Sequence, residues 1–320
     1  MKVLQPLILQ RADPCIRRHT DGWYYFTASI PAYDRIELRR ARTIAELLNA
    51  PTADVWLKPT EGPFCELIWA PEIHHVFGAW HIYFAAAPSR EIKDNLFQHR
   101  MYAISTSAEN PLEGKWSEPV RIETGIDSFS LDATTFTHRG VTYYVWAQKD
   151  PAIQGNSNLY IARMASGTTL ATPPVRLSIP EFDWETRGFW VNEGPSVLVR
   201  HGRVFISYSA SATDENYCMG LLYADENADL LDPRSWTKSP EPVFKTCYEH
   251  RIFGPGHNSF TVAEDGKTDL LVYHARTYTE IVGDPLWDPN RHTYVKQLRW
   301  DEHGMPVFGR PSLDESVEIE

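Results

Sequence analysis

The chain has 320 residues, a formal net charge of −11 and an aromatic content of 12%, with eleven Trp and fifteen Tyr. So negative a charge argues against a nucleic-acid partner, which needs a basic face, and no apolar run is long enough to span a membrane. The 23 prolines and 18 glycines are spread along the length with no linker among them, so residues 1–320 read as one all-β domain.

In chain order, Met1-Lys2-Val3-Leu4-Gln5-Pro6 carries no secretory signal and reads as the start of a strand, which predicts a cytoplasmic location. The run from Leu4 to Leu9 leads into Ala12-Asp13-Pro14, and Gly22-Trp23-Tyr24-Tyr25-Phe26 follows as turn and strand. Ile36 to Arg42 is a strand with a solvated basic face, and Thr43 to Ala50 is a short helix stopped by Pro51. Ala70-Pro71-Glu72 then precedes Gly78 and the strand Ala79 to Phe84. Leu131-Asp132-Ala133 precedes Gly140 and Val141 to Trp146, Asn192-Glu193-Gly194-Pro195 precedes Gly202 and Val204 to Tyr208, and Gly254-Pro255-Gly256-His257 precedes Gly266 and Leu270 to His274.

The same pattern is thus written five times: an anchor, then a turn glycine about seven to nine residues later, then an aromatic or β-branched strand. The anchors recur at roughly sixty residues, longer than the ~40–50 of common propeller repeats and enough for four strands with generous loops. A five-bladed β-propeller is predicted, with the active site in the central channel. The tail from Thr293–Leu298 to Met305–Phe308 reads as a closing hairpin that turns at His303-Gly304 and packs in the last blade beside the amino terminus.

The innermost strand of each propeller blade lines the channel, so equivalent positions converge however far apart they are in sequence. Asp13, Asp132 and Glu193 then face one pocket, with His257 from the last blade. Like charges held close cannot all ionise at their free values: one keeps its proton while another stays a base, as glycosidic cleavage requires. Turn carboxylates or a cation site are the other readings of the same spacing. Cys15, Cys65, Cys218 and Cys247 fall singly, without metal or redox spacing, and read as buried free thiols.

Arg11-Ala12-Asp13-Pro14, Trp69-Ala70-Pro71-Glu72-Ile73, Leu131 to Phe136, Asn192 to Pro195 and Gly254 to Asn258 together resemble glycoside hydrolase family 43, over nearly the whole chain and in order. Tyr33 to Ala41 is similar to the branch of exo-acting α-1,5-L-arabinofuranosidases. The resemblance implies that Asp13 is the general base, Glu193 the general acid and Asp132 the carboxylate that holds the acid and raises its pKa by like-charge repulsion. Asp127 is a rival for that third role. It further implies an inverting mechanism, with base and acid ~6.5–9.5 Å apart to admit a water.

By the same resemblance His257 sits beside a water-bound, calcium-like structural cation, no cofactor being required for the chemistry, and Arg276 bonds sugar hydroxyls. Trp69, Glu66, Phe64 and His75 cluster about the second anchor as substrate-binding candidates, and Phe189 and Trp190 border the leaving-group side. The expected partner is an arabino-oligosaccharide or related pentose substrate, in the cytoplasm a short imported one. β-Xylosidase and endo-arabinanase share the three carboxylates, and a propeller scaffold or an inactive sugar binder is the reading from another class. The oligomeric state is not legible.

Overall fold

Each of the five turn glycines leads into a second strand, and the strands gather into antiparallel sheets that follow one another around a ring. The computed structural model describes residues 5–312; Met1 to Leu4, the first part of the expected leading strand, lie outside the described residues. Blade one is β1 (Ala12–Arg18), β2 (Tyr24–Ser29), β3 (Arg35–Ala41) and β4 (Ala53–Leu57), paired in sequence order. Blade two is β5 (Glu66–Val76), β6 (Ala79–Ala87), β7 (Arg100–Thr106) and β8 (Val120–Arg121). Blade three is β9 (Ser130–His138), β10 (Val141–Gln148), β11 (Asn158–Ser166), β12 (Thr169–Leu170) and β13 (Val175–Ser178). Blade four is β14 (Asn192–Arg200), β15 (Arg203–Ala210), β16 (Cys218–Asp225) and β17 (Thr237–Lys238). Blade five is β18 (Phe253–Val262), β19 (Asp269–Arg276) and β20 (His292–Gln297). The architecture is a five-bladed β-propeller.

Side chains alternate across each second strand and fill both inter-blade spaces, because successive residues of a strand point to opposite faces. Tyr83 and Ala85 pack toward blade three with Tyr144 and Trp146, whereas Ile82 and Phe84 pack toward blade one with Tyr25 and Ile36. Leu271 and Tyr273 meet Phe205 and Leu221 of blade four, and Leu270 and Val272 meet Tyr24 and Phe26 of blade one. Sheets covered on both faces account for the aromatic content, and the ring closes where β1 packs against β18.

Two expectations at the ends are corrected. Thr293 to Gln297 is not one arm of a terminal hairpin but belongs to β20, the third strand of blade five; the hairpin is the shorter β21 (Arg299–Trp300) with β22 (Pro306–Val307). The described part of the leading segment reaches the last blade through one bridge: Leu7 N–H donates to Thr293 O (2.8 Å) and Thr293 N–H to Ile8 O (2.9 Å). The expected helix is one short 3₁₀ segment, Ala45–Leu48.

Every innermost strand carries a β-bulge at the same place. Ala12 pairs with Ser29 but Cys15 with Thr27; Trp69 pairs with Ala85 but Glu72 with Tyr83; Leu131 pairs with Ala147 but Ala133 with Trp146. Glu193 pairs with Ser209 but Ser196 with Ser207, and Gly256 with His274 but Ser259 with Val272. The extra residue is left-handed in each blade: Asp13 (φ 54°), Ala70 (45°), Asp132 (52°), Gly194 (53°) and His257 (41°). Four of these are not glycine, and such backbone strain persists only where the surrounding structure fixes it, which is common at functional sites.

This register corrects the anchor alignment. The residue of blade two equivalent to Asp13 is Ala70, not Glu72, and in blade four it is Gly194, with Glu193 one step earlier. The strict alternation of a strand fails at a bulge, so the left-handed residue and the one before it both reach the channel. Asp13, Asp132 and His257 arrive from the first position, Trp69, Leu131 and Glu193 from the second.

Candidate active site

The bulges of neighbouring blades are sewn together by side chains. Asp13 N–H donates to His274 Nδ1 (3.0 Å), Ala70 N–H to Ser29 Oγ (2.7 Å), Gly194 N–H to Asp132 Oδ2 (3.0 Å) and His257 N–H to Ser209 Oγ (2.7 Å). Each acceptor belongs to the preceding blade, so the left-handed residues are held at a common height around one cavity. Residues of all five blades wall that cavity, among them Asp13, Tyr33, Trp69, Phe97, Asp132, Phe189, Glu193, Tyr217, His257 and Arg291.

Asp13 is 8% exposed and heavily partnered. Ser29 Oγ donates to Oδ2 (2.5 Å), Arg291 Nη1 stands 3.4 Å from Oδ1, and the Nδ1 atoms of His257 and His274 each lie 3.3 Å from Oδ1. Burial pushes the carboxyl up, but the charges ranged against it, that of His257 when protonated and the permanent one of Arg291, outweigh it, so its pKa lies well below the usual carboxylate range. Burial lowers both histidines, His274 to about 3, so the permanent charge beside Asp13 is the guanidinium of Arg291. Because Nδ1 of the neutral His274 accepts the Asp13 N–H, its ring proton sits on Nε2.

Glu193 has the opposite setting. Its one side-chain hydrogen bond among the described residues comes from Tyr217 OH to Oε1 (2.9 Å). Burial, reinforced by the Asp13 charge and opposed by Tyr217 and Arg291, pushes it up to about 7. Asp132 is also raised, by burial first and then by Glu193 and Asp13, and it meets the backbone next to Glu193 through the Gly194 N–H. Burial is the largest cause on both; like charge adds to it, from Glu193 and Asp13 on Asp132 and from Asp13 on Glu193. The two titrate as a pair. Gly194 is required here because a Cβ would meet the His257 ring, 3.0 Å from its Cγ.

The other candidates separate cleanly. Trp69 lines the cavity, stacked on His99 (centroids 3.8 Å apart) and edge-on to Phe97. Phe189 lines it as well. Glu66 does not: it is bound to Lys58 (2.7 Å) and Arg90 (2.9 Å) at the start of β5. Phe64 packs on Trp56 and Tyr102, and His75 packs on His19 and Trp80, both away from the cavity. Asp127 is a surface residue paired with Arg100 and Arg121. Arg276 is buried behind the wall, donating to Asp288 Oδ1 (3.3 Å), Pro285 O (2.6 Å) and Thr213 O. It braces the segments that line the pocket instead of facing a ligand.

Arg291, Tyr217, Tyr33 and His274 are the residues that sequence reasoning missed. Arg291 Nη2 donates to Tyr33 OH (2.9 Å), which donates to Leu286 O (2.6 Å), tying blade one to the segment before β20. None of the four stands at a repeated anchor. All four cysteines are free and buried, and burial pushes the Cys15 thiol up to about 12.

A calcium-like ion takes about six to eight oxygen ligands, and the water-bound ion expected beside His257 would draw most of them from water. His257 Nδ1 faces Asp13 and, at 3.7 Å, Asp132 Oδ2, and no group of three His, Cys, Asp or Glu side chains among the described residues is arranged to hold a metal. Glu72 is held by a permanent charge: Arg17 Nη2 donates to Glu72 Oε2 (3.1 Å) and Thr134 Oγ1 (3.2 Å), and His74 Nε2 lies 2.8 Å from the same Glu72 oxygen.

Comparison with known proteins fits this geometry. Residues 4–306 match the family model described as glycosyl hydrolases family 43. The chain is similar to an extracellular exo-α-(1→5)-L-arabinofuranosidase of Streptomyces avermitilis, 52% identical over 309 residues that make up 97% of this chain and 63% of the relative. It thus spans less than two thirds of that relative's length. An enzyme of the same description from Streptomyces chartreusis is 51% identical over 280 residues, 88% of this chain and 84% of its own. A crystal structure of an α-L-arabinofuranosidase from Lactobacillus brevis superposes with a TM-score of 0.95 at 58% identity, covering 97% of each chain. The expected cytoplasmic location does not stand, since both Streptomyces relatives are described as extracellular, and the argument for imported substrates falls with it.

Proposed function

The chain belongs to glycosyl hydrolases family 43, and from that membership we propose that it is an inverting exo-glycosidase that releases L-arabinofuranose from the ends of α-1,5-linked arabino-oligosaccharides. The observation that carries this is the pair of carboxylates in one cavity with opposite protonation: Asp13 held ionised, Glu193 holding its proton to about pH 7. Asp13 takes a proton from a water as its oxygen attacks the anomeric carbon. The bond from that carbon to the glycosidic oxygen breaks, and Glu193 gives its proton to the leaving oxygen. Inversion needs room for the water between base and acid, and Asp13 and Glu193 come from blades one and four, which are not neighbours in the ring. Asp132 holds the Gly194 N–H and so the backbone of the acid.

Exo action is supported by a cavity walled from all five blades, a pit into which a chain end fits. The arabinose end is supported by the descriptions of the relatives at 51–58% identity. The test is release from 4-nitrophenyl α-L-arabinofuranoside and from α-1,5-arabinotriose, with the anomer of the product read by NMR. Release of β-L-arabinofuranose, with kcat/KM down ~10²–10⁴-fold in Glu193→Ala and Asp13→Ala on the triose, is the expected result. Release of xylose from a β-xyloside in preference would replace the substrate. No release from any of these would overturn the reading.

A further inference from the structure

Between the acid and the base lies a stacked pair of rings that the chemistry above does not use. Tyr217, just before β16 in blade four, donates through its hydroxyl to Glu193 Oε1 (2.9 Å). Its ring lies parallel to that of His274 in blade five, with 6° between planes and 5.6 Å between centroids. His274 in turn accepts the Asp13 N–H at Nδ1 (3.0 Å). Acid, tyrosine, histidine and base therefore form one continuous line across blades four, five and one. Both rings are 1% exposed.

The surrounding chain is shaped around this pair. A Cβ on Gly256 would fall 2.5 Å from Tyr217 Cε1, and one on Gly254 (φ +58°) would fall 2.3 Å from Asp214 O, in the turn that delivers the tyrosine. Tyr217 N–H closes that turn on Asp214 O (3.2 Å), and Arg276 holds it from behind through Thr213 O. The two glycines of Gly254-Pro255-Gly256-His257 thus admit the tyrosine and its turn, a role the sequence pattern did not reveal.

We propose that Tyr217 and His274 are a positioning pair, a stacked spacer that sets the general acid and the general base relative to each other. This rests on the assignment of Glu193 and Asp13 given above. Stacking fixes the tyrosine ring, its hydroxyl selects one rotamer of Glu193, and the histidine holds the strained left-handed backbone of Asp13. Placement on this scale matters, since a misplacement of about 1 Å can cost ~10²-fold in rate.

The two halves of the pair act on different events, which gives the test. Proton donation by Glu193 matters most for a poor leaving group, whereas attack by water matters for every substrate. Kinetics on α-1,5-arabinobiose and on 4-nitrophenyl α-L-arabinofuranoside, which share the sugar but not the leaving group, should separate them. Tyr217→Phe keeps the stack and loses the hydroxyl; kcat should fall about tenfold on arabinobiose and less than about twofold on the aryl substrate, with KM unchanged. His274→Phe keeps a ring but loses the acceptor; kcat should fall by about the same factor, near tenfold, on both. Tyr217→Leu, which loses the stack, should exceed Tyr217→Phe on both.

Equal losses on the two substrates in Tyr217→Phe, or none on arabinobiose, would overturn the proposal. Should Tyr217→Leu fail to fold, the two phenylalanine variants still decide it. A wild-type enzyme inactive on both substrates would instead overturn the functional assignment, so the two failures are distinct.

Discussion

Asp13 and Glu193 are the same functional group in opposite surroundings, and the difference between the two sides of the cavity is the clearest lesson of the structure. On the Asp13 side a permanent guanidinium, a serine hydroxyl and two imidazoles converge on one carboxylate. On the Glu193 side a single tyrosine hydroxyl meets a half-buried carboxyl, in a cavity whose lining also carries apolar residues such as Phe189, Val191 and Leu131. Burial alone would raise both. Partners reverse it on one side only, and an acid and a base result from two residues that begin with similar pKa values.

Removing the permanent charge should damage this contrast most. Arg291→Met leaves Asp13 buried with two imidazoles that burial itself keeps neutral. Breaking such a pair costs about 3–5 kcal/mol in stability, which a thermal unfolding scan will show. The acid limb of kcat/KM should move upward toward neutrality as Asp13 loses its depressed pKa, and a limb that does not move would show that the imidazoles suffice.

The pH profile of the intact enzyme reads both sides at once. On the proposed roles, activity needs Asp13 ionised and Glu193 protonated. It should decline as pH rises through about 7 and persist well into acid, because the base titrates below the ordinary carboxylate range. Stability follows the same signs with opposite consequences. The folded pKa of Asp13 is depressed, so its contribution is present above the unfolded value and is lost as pH falls through the folded one. The folded pKa of Glu193 is raised, so its contribution is complete below the unfolded value and is lost as pH rises through about 7. Glu193→Gln, inactive toward oligosaccharides, should therefore be more stable than wild type at pH 8, by on the order of 1 kcal/mol once the openness of the cavity is allowed for. It should show little difference at pH 5. Unfolding midpoints at the two pH values measure this directly.

How far the sequence carried this reading depends on the kind of signal. The turn glycines and aromatic strands repeat, so the blades and their order were legible, as was the convergence of Asp13, Asp132, Glu193 and His257. The one-residue offset of Glu193 was not, because a bulge leaves no periodic trace: Gly194 and Asp132 share a backbone conformation but not a residue type. Arg291 was illegible for a related reason. It sits just before β20, outside every repeat, and enters the cavity only because Tyr33 of blade one reaches across to it. Arg276 misled because it resembles an arginine that bonds sugar hydroxyls. Its hydrogen bonds to Asp288, Pro285 and Thr213 exist only once the loops are folded over it.

The smallest expected effect sharpens the comparison from outside. Proximity in sequence to the second anchor suggested Glu66 and His75 as substrate ligands, yet neither side chain lines the cavity. Trp69 alone of these three faces it. His75, near the far end of β5, packs at a tilt on His19 and edge-on to Trp80 (centroids 4.9 and 5.0 Å) and does not line the cavity. Glu66 is satisfied by Lys58 and Arg90, both partly exposed, so its removal costs a surface ion pair of at most about 1 kcal/mol. His75→Gln and Glu66→Gln should leave kcat and KM on arabinobiose within about twofold of wild type, whereas Trp69→Leu, which strips an aromatic wall from the pit, should raise KM by about tenfold or more. A rise in KM in Glu66→Gln as large as that in Trp69→Leu would mean that the bound substrate extends over the start of β5. The pit described by the five blades would then be only the inner half of the site.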